Sequence, residues 1–261
     1  MKPRIAIPVP HSTDVEYSAQ AWPQYALAVE RAGGEAVKVD LNLRQAQIAD
    51  LITSCQGYLL PGSGADVNPE KYGQEMHPEC APTDNARESV DELLLQDAHS
   101  LYKPLLCICF GIQSLNVWRG GTLVQDLAVV PVNHRAGRSV AIAHTVAIAP
   151  QSLLGELVDK NEVSEVEGFL RLPVNSSHHQ ALGIAGDGLR VSARCPQDAV
   201  LEAVEGGQAM EGAEAHFVLG VQWHPERSTD ISPTSRAIFD RFVMEAREWL
   251  PRSIHTSVSR P

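Results

Sequence analysis

Aromatic residues make up only 5% of this 261-residue chain, and its five cysteines (Cys55, Cys80, Cys107, Cys109 and Cys195) are scattered. Cysteines so few and odd in number do not build the disulfide framework of a small secreted scaffold, so a reducing, cytoplasmic compartment is expected. Lys and Arg number 21 against 32 acidic residues, form no cluster, and leave a formal charge of −11. Such a chain offers little to a phosphate backbone or an anionic membrane, and neither nucleic acid nor membrane is an expected partner. Long apolar runs are also missing. The stretch from Val140 to Pro150 is broken by His144 and Thr145, short of the roughly 18 residues a membrane span needs. At the start, Ile5-Ala6-Ile7 closes at Pro8, too short for a signal-peptide core. What the chain does have is 44% apolar residues, enough to bury a full core without staples.

Short β-branched and apolar runs alternate with longer amphipathic ones, the signature of βαβ units around a parallel sheet. Strands are expected at residues 4–8, 36–39, 57–60 and 105–108, and helices at 20–32, 43–53, 87–102 and 111–118. Residues 65–86, with three prolines, read as a long connection of the kind that forms a site rim. Later strands are expected at 144–148, 189–193, 200–204 and 217–221, followed by a long helix at 233–250. No repeat or Gly/Ser/Pro-rich linker divides the chain. The expectation is one α/β domain over residues 1–250, its mostly parallel central sheet flanked by helices, and a polar tail over 251–261.

Cys109 stands where a buried strand meets a helix, with Gly111 two residues on. That is nucleophile-elbow geometry, and the helix N-terminus behind it favours a thiolate, whose pKa in such settings falls to ~3.5–7.5. The competing reading is a small core residue, as for Cys107. A thiol nucleophile needs a histidine oriented by a third group. His224 follows the apolar run 217–221, and Glu226 lies two residues further, on the same side of an extended backbone. An exposed His beside an exposed carboxylate is the alternative. Gly62-Ser63-Gly64 presents amides at a strand's carboxyl end, where open α/β sheets bind ligands, and with the Phe110 amide would form an oxyanion hole. His178 and His179 read as pocket lining. A metal set of Cys107, Cys109, His178 and His179 matches no zinc spacing, and no metal is expected.

Four blocks together resemble a known family. They are Leu60-Pro61-Gly62-Ser63-Gly64-Ala65-Asp66-Val67-Asn68-Pro69 with Tyr72-Gly73; Cys109-Phe110-Gly111-Ile112-Gln113 with Gly120-Gly121-Thr122-Leu123-Val124-Gln125-Asp126; Val174-Asn175-Ser176-Ser177-His178-His179-Gln180; and Gly220-Val221-Gln222-Trp223-His224-Pro225-Glu226. The chain is similar to class I glutamine amidotransferases, within them to the gamma-glutamyl-gamma-aminobutyrate hydrolase-like branch. The resemblance implies a flavodoxin-like fold and a Cys109-His224-Glu226 triad. It also implies an oxyanion hole of Gly64 and Phe110, and substrate contacts from Gln113, Ser176 and His178. It departs from the branch at Phe110, where arginine is usual, and at Asp198-Ala199, where Asp-Gly is frequent. The reaction implied is hydrolysis of a small gamma-glutamyl amide or peptide to release glutamate, without a cofactor. The rivals are a glutaminase subunit passing ammonia to a separate synthetase, a folate-type gamma-glutamyl peptidase, and a binding protein on a retired hydrolase fold. The sequence leaves a homo-oligomer open.

Overall fold

The computed structural model describes residues 1–127, 131–206 and 216–251; the tail expected at 251–261 lies outside them except for Pro251. The first half alternates as its sequence requires: β1 (Arg4–Pro8), α1 (Val15–Arg31), β2 (Glu35–Val39), α2 (Gln45–Thr53), β3 (Gly57–Leu60), α3 (Asn85–Leu101), β4 (Leu105–Ile108) and α4 (Phe110–Trp118). There follow β5 (Leu123–Val124), β6 (His144–Ile148), α5 (Leu153–Leu157), β7 (Ser164–Val166), β8 (Phe169–Val174), β9 (Ala181–Leu182), β10 (Leu189–Arg194), β11 (Leu201–Gly206), β12 (Val218–Val221) and α6 (Pro233–Glu248).

One mixed sheet runs in the order β2-β1-β3-β4-β12-β11-β10-β6-β8-β7, with β9 linking β11 to β5. Strands β2, β1, β3, β4 and β12 are parallel, and the sheet continues beyond β12 through antiparallel pairs. Strands β1, β3, β4 and β12 are buried on both faces, while the edge strand β2 leaves Glu35 and Lys38 exposed. Ile5, Ile7, Leu59, Leu106, Ile108, Leu219 and Val221 pack with Tyr25 and Val29 of α1 and Phe239 and Phe242 of α6. The alternate residues Ala6, Tyr58, Leu60, Leu105, Cys107 and Val218 pack with Ile48 of α2, Leu94 of α3 and Ile112 of α4. Burying each Leu or Ile is worth about 1.5–3 kcal/mol.

Between β1 and β3 the chain reverses its direction of travel across the sheet, which makes the carboxyl edge there the natural ligand site of a doubly wound fold. Arg87 of α3, fully buried, ties that edge together. Its Nη1 donates to Pro10 O (2.9 Å), its Nη2 to Pro61 O (2.6 Å) and its Nε to Asp91 Oδ1 (2.7 Å). Its guanidinium lies 4.9 Å from the centre of the Phe110 ring.

Several boundaries differ from expectation for local reasons. Helix α1 begins five residues before Gln20 because the Asp14 carboxylate accepts the Tyr17 N–H (2.9 Å), and it runs through Pro23. The connection between β3 and α3 contains a 3-10 turn, Pro69–Tyr72. It is tied to α3, since the Asn68 N–H donates to Glu88 Oε1 (2.7 Å) and Lys71 pairs with Glu88 (2.9 Å). Strands β5, β7, β8 and β9 and helix α5 were not anticipated.

Asp84 caps α3, accepting from the Arg87 N–H (3.1 Å), the Ser12 N–H (2.7 Å) and the Ser12 hydroxyl (2.8 Å). Burial works to raise its carboxyl, and these donors outweigh it, holding the group below its ordinary 3.8. Asp84→Ala is expected to lower stability at pH 7 by about 1–2 kcal/mol, the loss of one good N-cap. A depressed carboxyl stabilises above its unfolded pKa, so the gap to wild type narrows as pH falls toward acid. Urea unfolding of both proteins at pH 7 and pH 4 measures it.

Candidate active site

The carboxyl ends of β3, β4 and β12 bring the candidate residues to one place. Cys109 caps α4 with φ +53° and ψ −107°, a conformation a non-glycine residue holds only when its surroundings enforce it. They do so here: the Cys109 N–H donates to Val221 O (2.9 Å) and its carbonyl accepts from the Gln113 N–H. Gly111 lies so close to β3 that a Cβ would sit on the Leu60 carbonyl oxygen. Gly62 fills the gap between nucleophile and base. A Cβ there would stand 3.4 Å from Cys109 Cβ and 3.0 Å from His224 Cε1.

His224 follows β12 and opens the 3-10 turn Pro225–Arg227. That turn carries Glu226 back to the ring, with His224 Nδ1 2.7 Å from Glu226 Oε1. Asn175 fixes the histidine from behind, accepting the His224 N–H (3.0 Å) and donating to the His224 carbonyl (2.8 Å). Cys109, His224 and Glu226 are only 7%, 2% and 6% exposed.

Burial sets the protonation states. It pushes the Cys109 thiol up to about 12, against Arg227 and the Phe110 N–H, which favour the thiolate. Burial likewise lowers His224 below its ordinary 6.5, opposed by Glu226. Burial would raise Glu226, and His224 and Arg227 outweigh it to bring it below 4.5. These directions favour a neutral thiol, a neutral imidazole and a carboxylate. They run against the expectation of a thiolate at a helix N-terminus, because burial is the largest influence on the thiol.

Other expected residues fall differently. The Gln113 amide donates to Gln180 O (3.1 Å) and Gln222 Oε1 (3.2 Å), and the Ser176 hydroxyl to His134 O (2.8 Å), so both are buried in internal bonds. His178 lies in a buried group with His134, His144 and Glu202 instead of at the substrate surface. Gly64 is exposed, with open space over its Cα, whereas the buried Gly62 donates its N–H to the Tyr25 hydroxyl (3.1 Å). His179 joins the rim: its Nε2 is 3.0 Å from Asp66 and its Nδ1 3.4 Å from Asp126. Cys107 packs on the opposite face of the sheet from Cys109, so the metal set discounted from sequence does not assemble.

Asn175, Tyr25, Arg138 and Arg227 were not singled out from sequence. Arg138 stacks over Tyr17, 4.8 Å from the ring centre, and acts electrostatically on His224. Arg227 donates to the Ser177 hydroxyl (2.8 Å) and lies 3.4 Å from Glu226. Only the His-Pro-Glu-Arg run hinted at Arg227.

A buried cysteine at a strand-to-helix turn, a His–Glu pair on the neighbouring strand end and a doubly wound sheet define a glutamine amidotransferase-like hydrolase fold. The chain belongs to the Peptidase C26 family, whose model matches residues 8–226. It is 30% identical over 236 residues to Protein NtpR of Enterococcus hirae, covering 88% of this chain and 90% of that protein. It is also 30% identical over 230 residues to the gamma-glutamyl-gamma-aminobutyrate hydrolase PuuD of Escherichia coli, covering 84% of each. The fold is similar to the Trypanosoma brucei CTPS glutaminase domain with bound acivicin, at TM-score 0.58 and 16% identity, over 95% of this chain and 97% of that one. No helix among the described residues is long and apolar enough to cross a membrane.

A thiol held neutral by burial should alkylate without a plateau in the neutral range. With iodoacetamide and peptide mapping, the Cys109 rate is expected to climb into alkaline pH. A rate already level between pH 5 and 8 would mean a resting thiolate and contradict this.

Proposed function

We propose that the chain hydrolyses the gamma-glutamyl amide bond of a small gamma-glutamyl amine or peptide, releasing glutamate. The observation that carries this reading is the convergence of Cys109 and His224 on Gly62, with Glu226 2.7 Å behind the imidazole. Cys109 Sγ attacks the side-chain carbonyl carbon while His224, neutral at rest, takes the thiol proton. The carbonyl oxygen gains the charge, with the Phe110 amide beside Cys109 as its donor. His224 then passes that proton to the departing amine, and the C–N bond breaks to leave a glutamyl thioester. Water, activated by His224, attacks the thioester, glutamate leaves and the thiol is restored. Glu226 holds the Nδ1 proton and stabilises the transient imidazolium. Arg138 and Arg227, both acting on the site electrostatically, suit the carboxylate of the glutamyl group.

The rim favours a substrate larger than glutamine. Residues 65–86 are held to α3 by Glu88, and Gln125 accepts from the His77 N–H (2.8 Å) and donates to Glu75 O (2.9 Å). A γ-linked amine lying along this anchored wall gains contacts that glutamine lacks. The second reading, a glutaminase subunit serving a synthetase, draws support from the structural likeness to a glutaminase domain.

Three outcomes are expected. The purified chain releases glutamate from a gamma-glutamyl amine with at least about tenfold higher kcat/KM than from glutamine, or about 1.4 kcal/mol of transition-state binding. Glutaminase activity that appears only with a second protein would favour the other reading. Next, Glu226→Gln slows turnover less than His224→Ala, since the glutamate orients and the histidine transfers protons. Finally, kcat/KM falls with decreasing pH as His224 gains a proton, with a midpoint below 6.5 because burial disfavours its cation. Initial-rate kinetics on the three proteins across pH 5–9 tests all of these.

A further inference from the structure

Four side chains from separate parts of the chain meet in the interior beside the site: His134, His144 at the start of β6, His178 in the loop after β8, and Glu202 on β11. They are 2%, 7%, 5% and 0% exposed. Their inward atoms all lie within 4.8 Å of one another. Glu202 Oε1 is 3.2 Å from His134 Nδ1, 3.4 Å from His144 Nε2 and 3.9 Å from His178 Nε2. Ligands about 2.0–2.1 Å from a tetrahedral metal ion stand roughly 3.3–3.5 Å apart, so the Glu202 contacts to His134 and His144 are already at that spacing and the widest pairs, up to 4.8 Å, must close by about 1.5 Å.

The outward nitrogens give a second, independent observation. Each histidine has its other ring nitrogen against an oxygen acceptor: His134 Nε2 at Asp198 Oδ2 (3.0 Å), His144 Nδ1 at Thr145 O (3.2 Å) and His178 Nδ1 at Gln180 O (2.9 Å). An oxygen acceptor requires N–H, so in each neutral ring the proton sits outside and the lone pair points inward. Backbone carbonyls and a carboxylate fixing the far side of each ring are what metal-ligating histidines have. Inside, His134 Nδ1, His144 Nε2, His178 Nε2 and both Glu202 oxygens make no well-aligned hydrogen bond, although Glu202 stands 3.2 Å from His134 and the Cys195 thiol interacts with His134 and His144. Three lone pairs facing a buried carboxylate repel, and an unpaired buried charge is costly. One proton joins a single nitrogen to Glu202; a divalent cation satisfies all four groups. It also balances charge, since Glu202 and Asp198 together carry two negative charges.

We propose that His134, His144, His178 and Glu202 bind one divalent transition-metal ion of the zinc class as a closed, structural site. The donor set is three imidazoles and a carboxylate, all four from protein, with no position left for substrate. The neighbouring His134–Cys195–Asp198 grouping is weaker, because Asp198 is occupied by the outer nitrogen of His134 and the Cys195 thiol donates to Gln197 (3.2 Å). Bound metal would clamp the stretch after β8 onto β11. Asn175, which brackets the His224 backbone, lies three residues before His178 on that stretch. The ion would thus position the base without touching the reacting atoms. This departs from the expectation, drawn from composition and ligand spacing, of a chain needing no metal.

The test uses the full chain without a histidine tag, produced in zinc-supplemented medium and dialysed against metal-free buffer. Elemental analysis is expected to find about one zinc per chain, and chelator-treated protein to take up one cobalt(II) with four-coordinate visible bands. Zinc raises the melting temperature of wild type and not of Glu202→Gln or His144→Ala. Should those variants fail to fold, Asp198→Asn, which removes only an outer bond, is expected to weaken zinc affinity about 10- to 100-fold. Wild type that keeps no metal, takes up neither zinc nor cobalt and shows no thermal shift would overturn the proposal. So would metal bound equally by wild type, Glu202→Gln and His144→Ala.

Discussion

The contact on which the site depends is the approach of the first turn of α4 to the end of β3. Gly111 leaves no room for a Cβ above the Leu60 carbonyl, so the helix sits at a distance that only glycine allows. That distance forces Cys109 into a positive φ and lifts its side chain to the carboxyl edge. Gly62 repeats the device one turn away, leaving its missing side chain as the space between Cys109 and His224. Arg87 holds the two strand ends in place by taking the carbonyls of Pro10 and Pro61. Its stacking against Phe110 puts a guanidinium next to the residue after the nucleophile, although the sequence has phenylalanine at that position.

Two opposing influences act on Cys109. The Phe110 N–H at the helix start and the Arg227 charge favour a thiolate, while enclosure favours the thiol and is the larger. The same enclosure lowers His224, so both side chains are pushed toward their uncharged forms.

The parallel half was legible because β1, β3, β4 and β12 are continuous apolar runs buried on both faces, and β1 and β3 close at proline. The antiparallel half was not. Strand β7 is exposed along its length and shows no alternation, β8 contains Arg171 and Pro173, and β5 and β9 are two residues each. At the site, turn chemistry and order made Cys109, His224 and Glu226 candidates, and only the resemblance of the four blocks joined them as a triad. Asn175 was invisible because it acts through the backbone of another residue. Gln113, Ser176 and His178, given as substrate contacts by the resemblance alone, are buried in internal bonds, and sequence gives no sign of which polar side chains turn inward. Burial, which decides the charge of the thiol, is a property of the assembled layers and has no local signature.

The stretch from Asn175 to Gln180 has a consequence for how this molecule could diversify. Asn175 seats His224, Ser177 meets Arg227, His178 joins the interior histidines, His179 reaches the rim at Asp66, and the Gln180 carbonyl receives Gln113. Five neighbours thus answer to five different parts of the molecule, and no residue there can drift without unsettling several others at once. The outer rim between Gln74 and Cys80 is tied chiefly to one residue, Gln125, through Gln74, Glu75, His77 and Cys80, so a change at that single anchor would reshape the rim while leaving the interior of the fold untouched.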